Sequence, residues 1–168
     1  MKSNKDKVKE LEDMIRSNFK EECMHCVVGY PIKKFKKAEH EADENYFKTI
    51  SKLEQEYEKE GIEFRSITVI NHDRKSIHYH IICPSIETKG NIQIDDEWSE
   101  ILKTNVTTSQ IEPNGEYEAL ARYLIGNKED VRVIANIQRG KRSDRKWRTL
   151  RFATGARIII KSRRQSTD

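Results

Sequence analysis

The chain has 168 residues, room for one domain of usual size and too little for two. Hydrophobic residues make up 35% and charged residues 36%, which implies a lean core under a densely charged surface. No apolar run approaches the ~20 residues of a transmembrane helix, and MKSNKDKVKELEDM has no apolar signal region, so the expectation is a protein without membrane or secretory signals, located in the cytoplasm. Three cysteines cannot close a disulfide framework, which agrees with a reducing compartment.

In chain order, residues 5–20 carry Val8, Leu11, Ile15 and Phe19 at helical spacing. Residues 23–32, CMHCVVGYPI, read as a strand. A second helix is expected from Ala38 to Glu60, with Tyr46, Phe47, Ile50, Leu53 and Tyr57 as its apolar face and Gly61 as its stop. Residues 62–70 and 77–83 are β-branched and aromatic runs around the polar turn NHDRKS, the pattern of a hairpin. A short helix over 95–103 holds Trp98. Residues 105–111 return to strand character, 116–125 to helix, and 131–137 and 156–161 to extended structure. Long helices interleaved with hairpins indicate an α+β fold, a central antiparallel sheet with helices packed on it. No glycine-rich phosphate loop of the Walker or dinucleotide type is present, which argues against ATP and NAD.

Charge is segregated. Residues 139–168 hold eleven basic and two acidic side chains, +9 net, which leaves −5 for residues 1–138 of a chain whose total is +4. Arg139, Lys141, Arg142, Arg145, Lys146 and Arg148 surround Trp147, the composition of a phosphate-contacting surface with one stacking aromatic. A solvated basic tail accounts for the same composition. We take residues 1–138 as the main folded unit and 139–168 as a basic extension of the same domain.

The chemistry-bearing group is His78-Tyr79-His80 in the second hairpin strand. Side chains alternate along a strand, so the two imidazoles share a face and Tyr79 takes the other, with Cβ atoms two residues apart at roughly 7 Å. Both can reach one metal ion. Three of the five histidines fall within nine residues, because the turn adds His72, followed by Asp73. His72 has the parity of His78 and His80, which makes it the first candidate for a further ligand, with Asp73 the second. Hydrogen-bonded structural histidines are the competing account. Downstream, EYEALARYLIGNKED reads as a helix with Tyr117, Leu120, Ala121 and Leu124 in one stripe and Tyr123 at its edge, where a hydroxyl can face an adjoining cleft. Tyr117 reads as an ordinary core tyrosine.

These features resemble the HUH endonucleases, in particular the rolling-circle replication initiators of small plasmids and phages. The resemblance covers Ser66 to Glu129, about the middle third of the chain. The family's histidine-hydrophobic-histidine strand matches His78-Tyr79-His80, and its helical tyrosine, often in a Tyr-Leu-X-Lys context, matches Tyr123 in ALARYLIGNKED. The family's lysine position falls on Gly126, with Lys128 two residues further on as the candidate substitute. The resemblance implies a sheet of about five strands and site-specific cleavage of single-stranded or hairpin DNA at an origin. It implies Mg²⁺ or Mn²⁺ held by the two histidines and a third ligand. Tyr123 would form a 5′-phosphotyrosine link and release a 3′-hydroxyl that can later reverse the step. The basic extension would hold flanking DNA. A replication role would draw on a separate host helicase and polymerase. Single-strand transposases and relaxases share both motifs. Two other classes compete: a non-catalytic nucleic-acid-binding α+β module, and a zinc-dependent regulator built on Cys23-X-X-Cys26, which has no second ligand pair at finger spacing. Cys23 and Cys26 read as small strand-edge residues. The charged run KLEQEYEKEG is too short for a coiled coil and reads as a solvated helix face, with self-association through it left open.

Overall fold

The computed structural model describes residues 3–72, 75–113, 115–125, 131–137 and 146–151, with the backbone only for Phe35, His72, Ile137 and residues 146–151. The elements are α1 (Asn4–Asn18), β1 (Cys23–Pro31), α2 (Ala38–Lys59), β2 (Ser66–His72), β3 (Ser76–Pro84), α3 (Asn91–Leu102), β4 (Val106–Ile111), α4 (Tyr117–Ile125), β5 (Val131–Ile137) and β6 (Lys146–Arg151). The fold is α+β. One antiparallel sheet runs in the order β4-β1-β3-β2-β5-β6, with helices on both faces.

Local chemistry sets the helix ends. Ser3 caps α1 reciprocally: its hydroxyl accepts from the Asp6 N–H, and the Asp6 carboxylate accepts from the Ser3 N–H at 3.0 Å. At the end of α2, Gly61 takes φ 68°, the left-handed conformation that costs glycine least, and the Ile62 N–H returns to the Tyr57 carbonyl. Before α4, Gly115 closes a turn onto the Glu112 carbonyl so tightly that a Cβ there would lie 2.8 Å from that oxygen.

Strand alternation divides the core in two. Met24, Cys26, Val28, Ile70, Tyr79, Ile81 and Cys83 face α2 and α3, where they bury Tyr46, Tyr57 and Trp98. Cys23, Ile67, Val69, Ile82, Val133 and Ala135 face α1 and α4, against Leu11, Ile15, Tyr117 and Leu124. Cys23 and Cys26, three apart on a strand, therefore lie on opposite faces and cannot share one metal. They also do not sit at a sheet edge, because β1 is paired on both sides. Burial pushes the Cys23 thiol up to about 11 and the Cys83 thiol up to about 12.

Two boundaries differ from expectation. β2 begins at Ser66 rather than residue 62, because Arg65 is drawn off the sheet line to the Asn18 carbonyl at 2.9 Å and to Glu21. β2 and β3 also extend into the polar turn, leaving only residues 73–75 between them. The basic segment contributes β6, which pairs with β5 and adds a sixth strand to the expected sheet. The strand expected over 156–161 lies outside the described residues. Among the described residues no helix is long and apolar enough to cross a membrane.

Candidate active site

β3 sits in the interior of the sheet, between β1 and β2. Tyr79 is fully buried on the α2 face, where its hydroxyl donates to the Ala42 carbonyl at 2.6 Å. His78 and His80 occupy the opposite face, the one α4 packs on, as the alternation requires. Their partners then separate them. His80 is 6% exposed, and its Nδ1 lies 3.1 Å from Nε2 of His25 on β1, with the rings stacked at 5.3 Å. One of these nitrogens carries the proton and donates while the other accepts. Burial lowers the His25 pKa to about 4, so this imidazole is neutral at pH 7. His78 is half-buried. Its Nε2 lies 2.7 Å from the Ser76 hydroxyl, and its ring lies against Gly29, where a Cβ would meet Nδ1 at 3.4 Å.

Tyr123 projects from α4 beside the histidine pair. It is 62% exposed in a helix whose Tyr117, Ala121 and Leu124 are buried. Its ring stands edge-on to His80 at 5.9 Å and 87°, and to His25 at 6.4 Å and 74°. Tyr117 is 1% exposed, with its hydroxyl toward the Phe19 carbonyl at 3.5 Å and the Arg16 guanidinium 5.0 Å over its ring, in keeping with a core role.

The ligand set expected from parity needs correction. In the hairpin register Asn71, not His72, stands opposite His78, and His72 pairs with Ile77. Parity counted along one strand does not carry through a turn, because the turn length sets which residues face each other. Asp73 and Lys128 lie outside the described residues, as do Arg139, Lys141, Arg142 and Arg145. Lys146, Trp147 and Arg148 lie in β6, three strands from β3, about 14 Å at the usual strand spacing.

His25, inside Cys23-X-X-Cys26, joins the site although it is not among the expected ligands. Its signal was its place between Met24 and Cys26, both buried on the other face. What the sequence hides is that β1 lies beside β3, a non-local pairing. Asn71 is the second addition. It is 7% exposed, and among the described residues neither its amide nitrogen nor its oxygen has a hydrogen-bond partner.

Among the described residues no group of three or more His, Cys, Asp or Glu side chains is arranged to hold a metal ion. The two-imidazole part does fit one. Nitrogens bound at right angles, each about 2.1 Å from an ion, stand about 3 Å apart, close to the 3.1 Å between His25 and His80. These two histidines are the residues that would hold a divalent ion; His78, on the same face, turns instead to Ser76. Comparison of the chain with family models, with curated proteins and with solved structures finds no match.

Proposed function

We propose that the protein is a metal-dependent endonuclease and strand-transferase for single-stranded DNA, acting through a 5′-phosphotyrosine at Tyr123, as an initiator of rolling-circle replication would. The observation that carries this reading is the exposed Tyr123 standing edge-on over the buried His80–His25 pair. A tyrosine that is 62% exposed on a helix is within reach of a phosphodiester, and the neutral His25 imidazole keeps a lone pair for a cation.

In the proposed step the Tyr123 oxygen bonds to the scissile phosphorus and the bond from phosphorus to the 3′-oxygen breaks. The 3′-oxygen leaves as a hydroxyl after taking up a proton, and the phenol proton passes to solvent. The reverse step rejoins the strand with no net loss of phosphodiester bonds, so no nucleoside triphosphate is needed. A bound divalent cation would supply charge neutralisation at the phosphate. The same chemistry would serve a single-strand transposase or relaxase. That the described residues bring together two ligands rather than three favours a second reading, a nucleic-acid-binding module without catalysis.

The test is incubation with labelled single-stranded DNA hairpins in Mn²⁺ or EDTA, followed by a denaturing gel. The proposal expects a covalent protein–DNA band that requires metal and is lost in Tyr123→Phe and in His80→Ala. Retention of DNA without any adduct, on a pool containing the native origin, favours the binding module.

A further inference from the structure

Beside Tyr123 the surface opens into a cavity of about 690 Å³ between α1 and the start of α4. We infer that this cavity receives one unpaired base, a guanine, of the DNA strand that Tyr123 attacks. The inference rests on the single-strand reading above and assigns that site a means of choosing its target.

The walls carry two guanidinium–carboxylate pairs. On α1, Arg16 bonds Glu12 at 2.9 Å and lies over the Tyr117 ring, and Glu12 is only 8% exposed. On α4, Arg122 pairs with Glu118 one turn back. Tyr123 itself lines the same cavity. A cavity of this volume lies within the range of small-molecule sites, about 300–1,000 Å³, and exceeds what one base requires.

The charge pattern distinguishes a base from a phosphate. Three glutamates, Glu12, Glu116 and Glu118, stand with two arginines in the lining, and Lys9 also reaches Glu12 at 3.5 Å, so the wall has no excess of positive charge for a phosphate and offers carboxylate acceptors that a phosphate cannot use. A guanine edge matches both kinds of wall. Its O6 and N7 accept from a guanidinium fork, and its N1–H and N2–H donate to a carboxylate. Each arginine keeps N–H groups beyond those used on its glutamate, and each carboxylate keeps lone pairs. In a duplex the N1–H and N2–H edge is occupied by pairing, so a site of this kind selects unpaired DNA.

The test uses the full chain carrying Tyr123→Phe, in EDTA, so that no cleavage is needed. Fluorescein-labelled dT12 is compared with the same strand carrying a single dG, dA or dC, by fluorescence anisotropy. The dG strand is expected to bind at least ten-fold tighter than the others. Arg16→Ala and the solvent-facing Arg122→Ala are each expected to reduce that preference to within two-fold, with circular dichroism confirming the fold. Equal binding of all four strands, or an undiminished dG preference in both variants, overturns the inference. Competition by free dGMP as effective as the strand would assign the cavity to a free nucleotide and overturn it too. Loss of the adduct reading leaves these binding results standing, so the two failures are distinguishable.

Discussion

Acidification should weaken the fold through His25 before it acts on chemistry. Burial holds this imidazole at a pKa of about 4, against 6.5 for an exposed histidine. Between those values the unfolded chain takes up a proton that the folded chain refuses. The contribution of the neutral imidazole is therefore fully present above pH 6.5 and is lost as pH falls toward 4. Between pH 7.5 and 5 the loss from this one group is about 2 kcal/mol, about thirty-fold in the folding equilibrium. The assay is urea unfolding in EDTA at both pH values, for the wild type and for His25→Phe. Carboxylates titrate in both proteins, so the difference between the two pH effects isolates His25. The variant should start less stable, because the His25–His80 hydrogen bond is lost, and should lose about 2 kcal/mol less on acidification. Equal losses would refute the buried neutral imidazole, and with it the argument that His25 and His80 share one proton.

Other substitutions test the packing around the site. Asn71→Val removes two buried amide atoms that have no partner among the described residues, so stability should stay level or rise by about 1 kcal/mol in chemical denaturation. A loss above that size would mean the amide is satisfied. Tyr79→Phe removes the second hydrogen bond to the Ala42 carbonyl, which keeps its bond within α2, and should cost about 1 kcal/mol, read as a lower urea midpoint at unchanged slope. Trp98→Ala empties the largest side chain fully buried among the described residues from the α3 side of the core, and a loss of about 3–5 kcal/mol is expected. A loss under 1 kcal/mol would show that α3 packs loosely on the sheet.

Much of this fold is legible in the residues because the strongest signals are local. The stripe Tyr46, Ile50, Leu53 and Tyr57 defines α2, although Phe47, expected on the same face, is 42% exposed, and the alternation around Tyr79 correctly assigns the two faces of β3. Tyr117 and Tyr123 divide into buried and exposed positions as the helical spacing requires. The misses are non-local. His72 was misplaced because register across a hairpin depends on the turn and not on parity. His25 was missed because nothing in CMHCVV shows that its strand will lie beside His80, 55 residues away. The start of β2 depends on where Arg65 finds its partners on and after α1, which no propensity records. β6 lacks the apolar alternation that marks a strand, and its place in the sheet comes from pairing with β5.

Tyr123, held over the histidine pair, is the proposed nucleophile. This role is tested most directly by peptide mapping of the protein after reaction with single-stranded origin DNA and Mn²⁺, followed by nuclease trimming. A nucleotide phosphate is expected on the peptide containing Tyr123, linked through the tyrosine oxygen, and none in EDTA. The same modification on the Tyr117 side chain, or an adduct that persists in Tyr123→Phe, would contradict it.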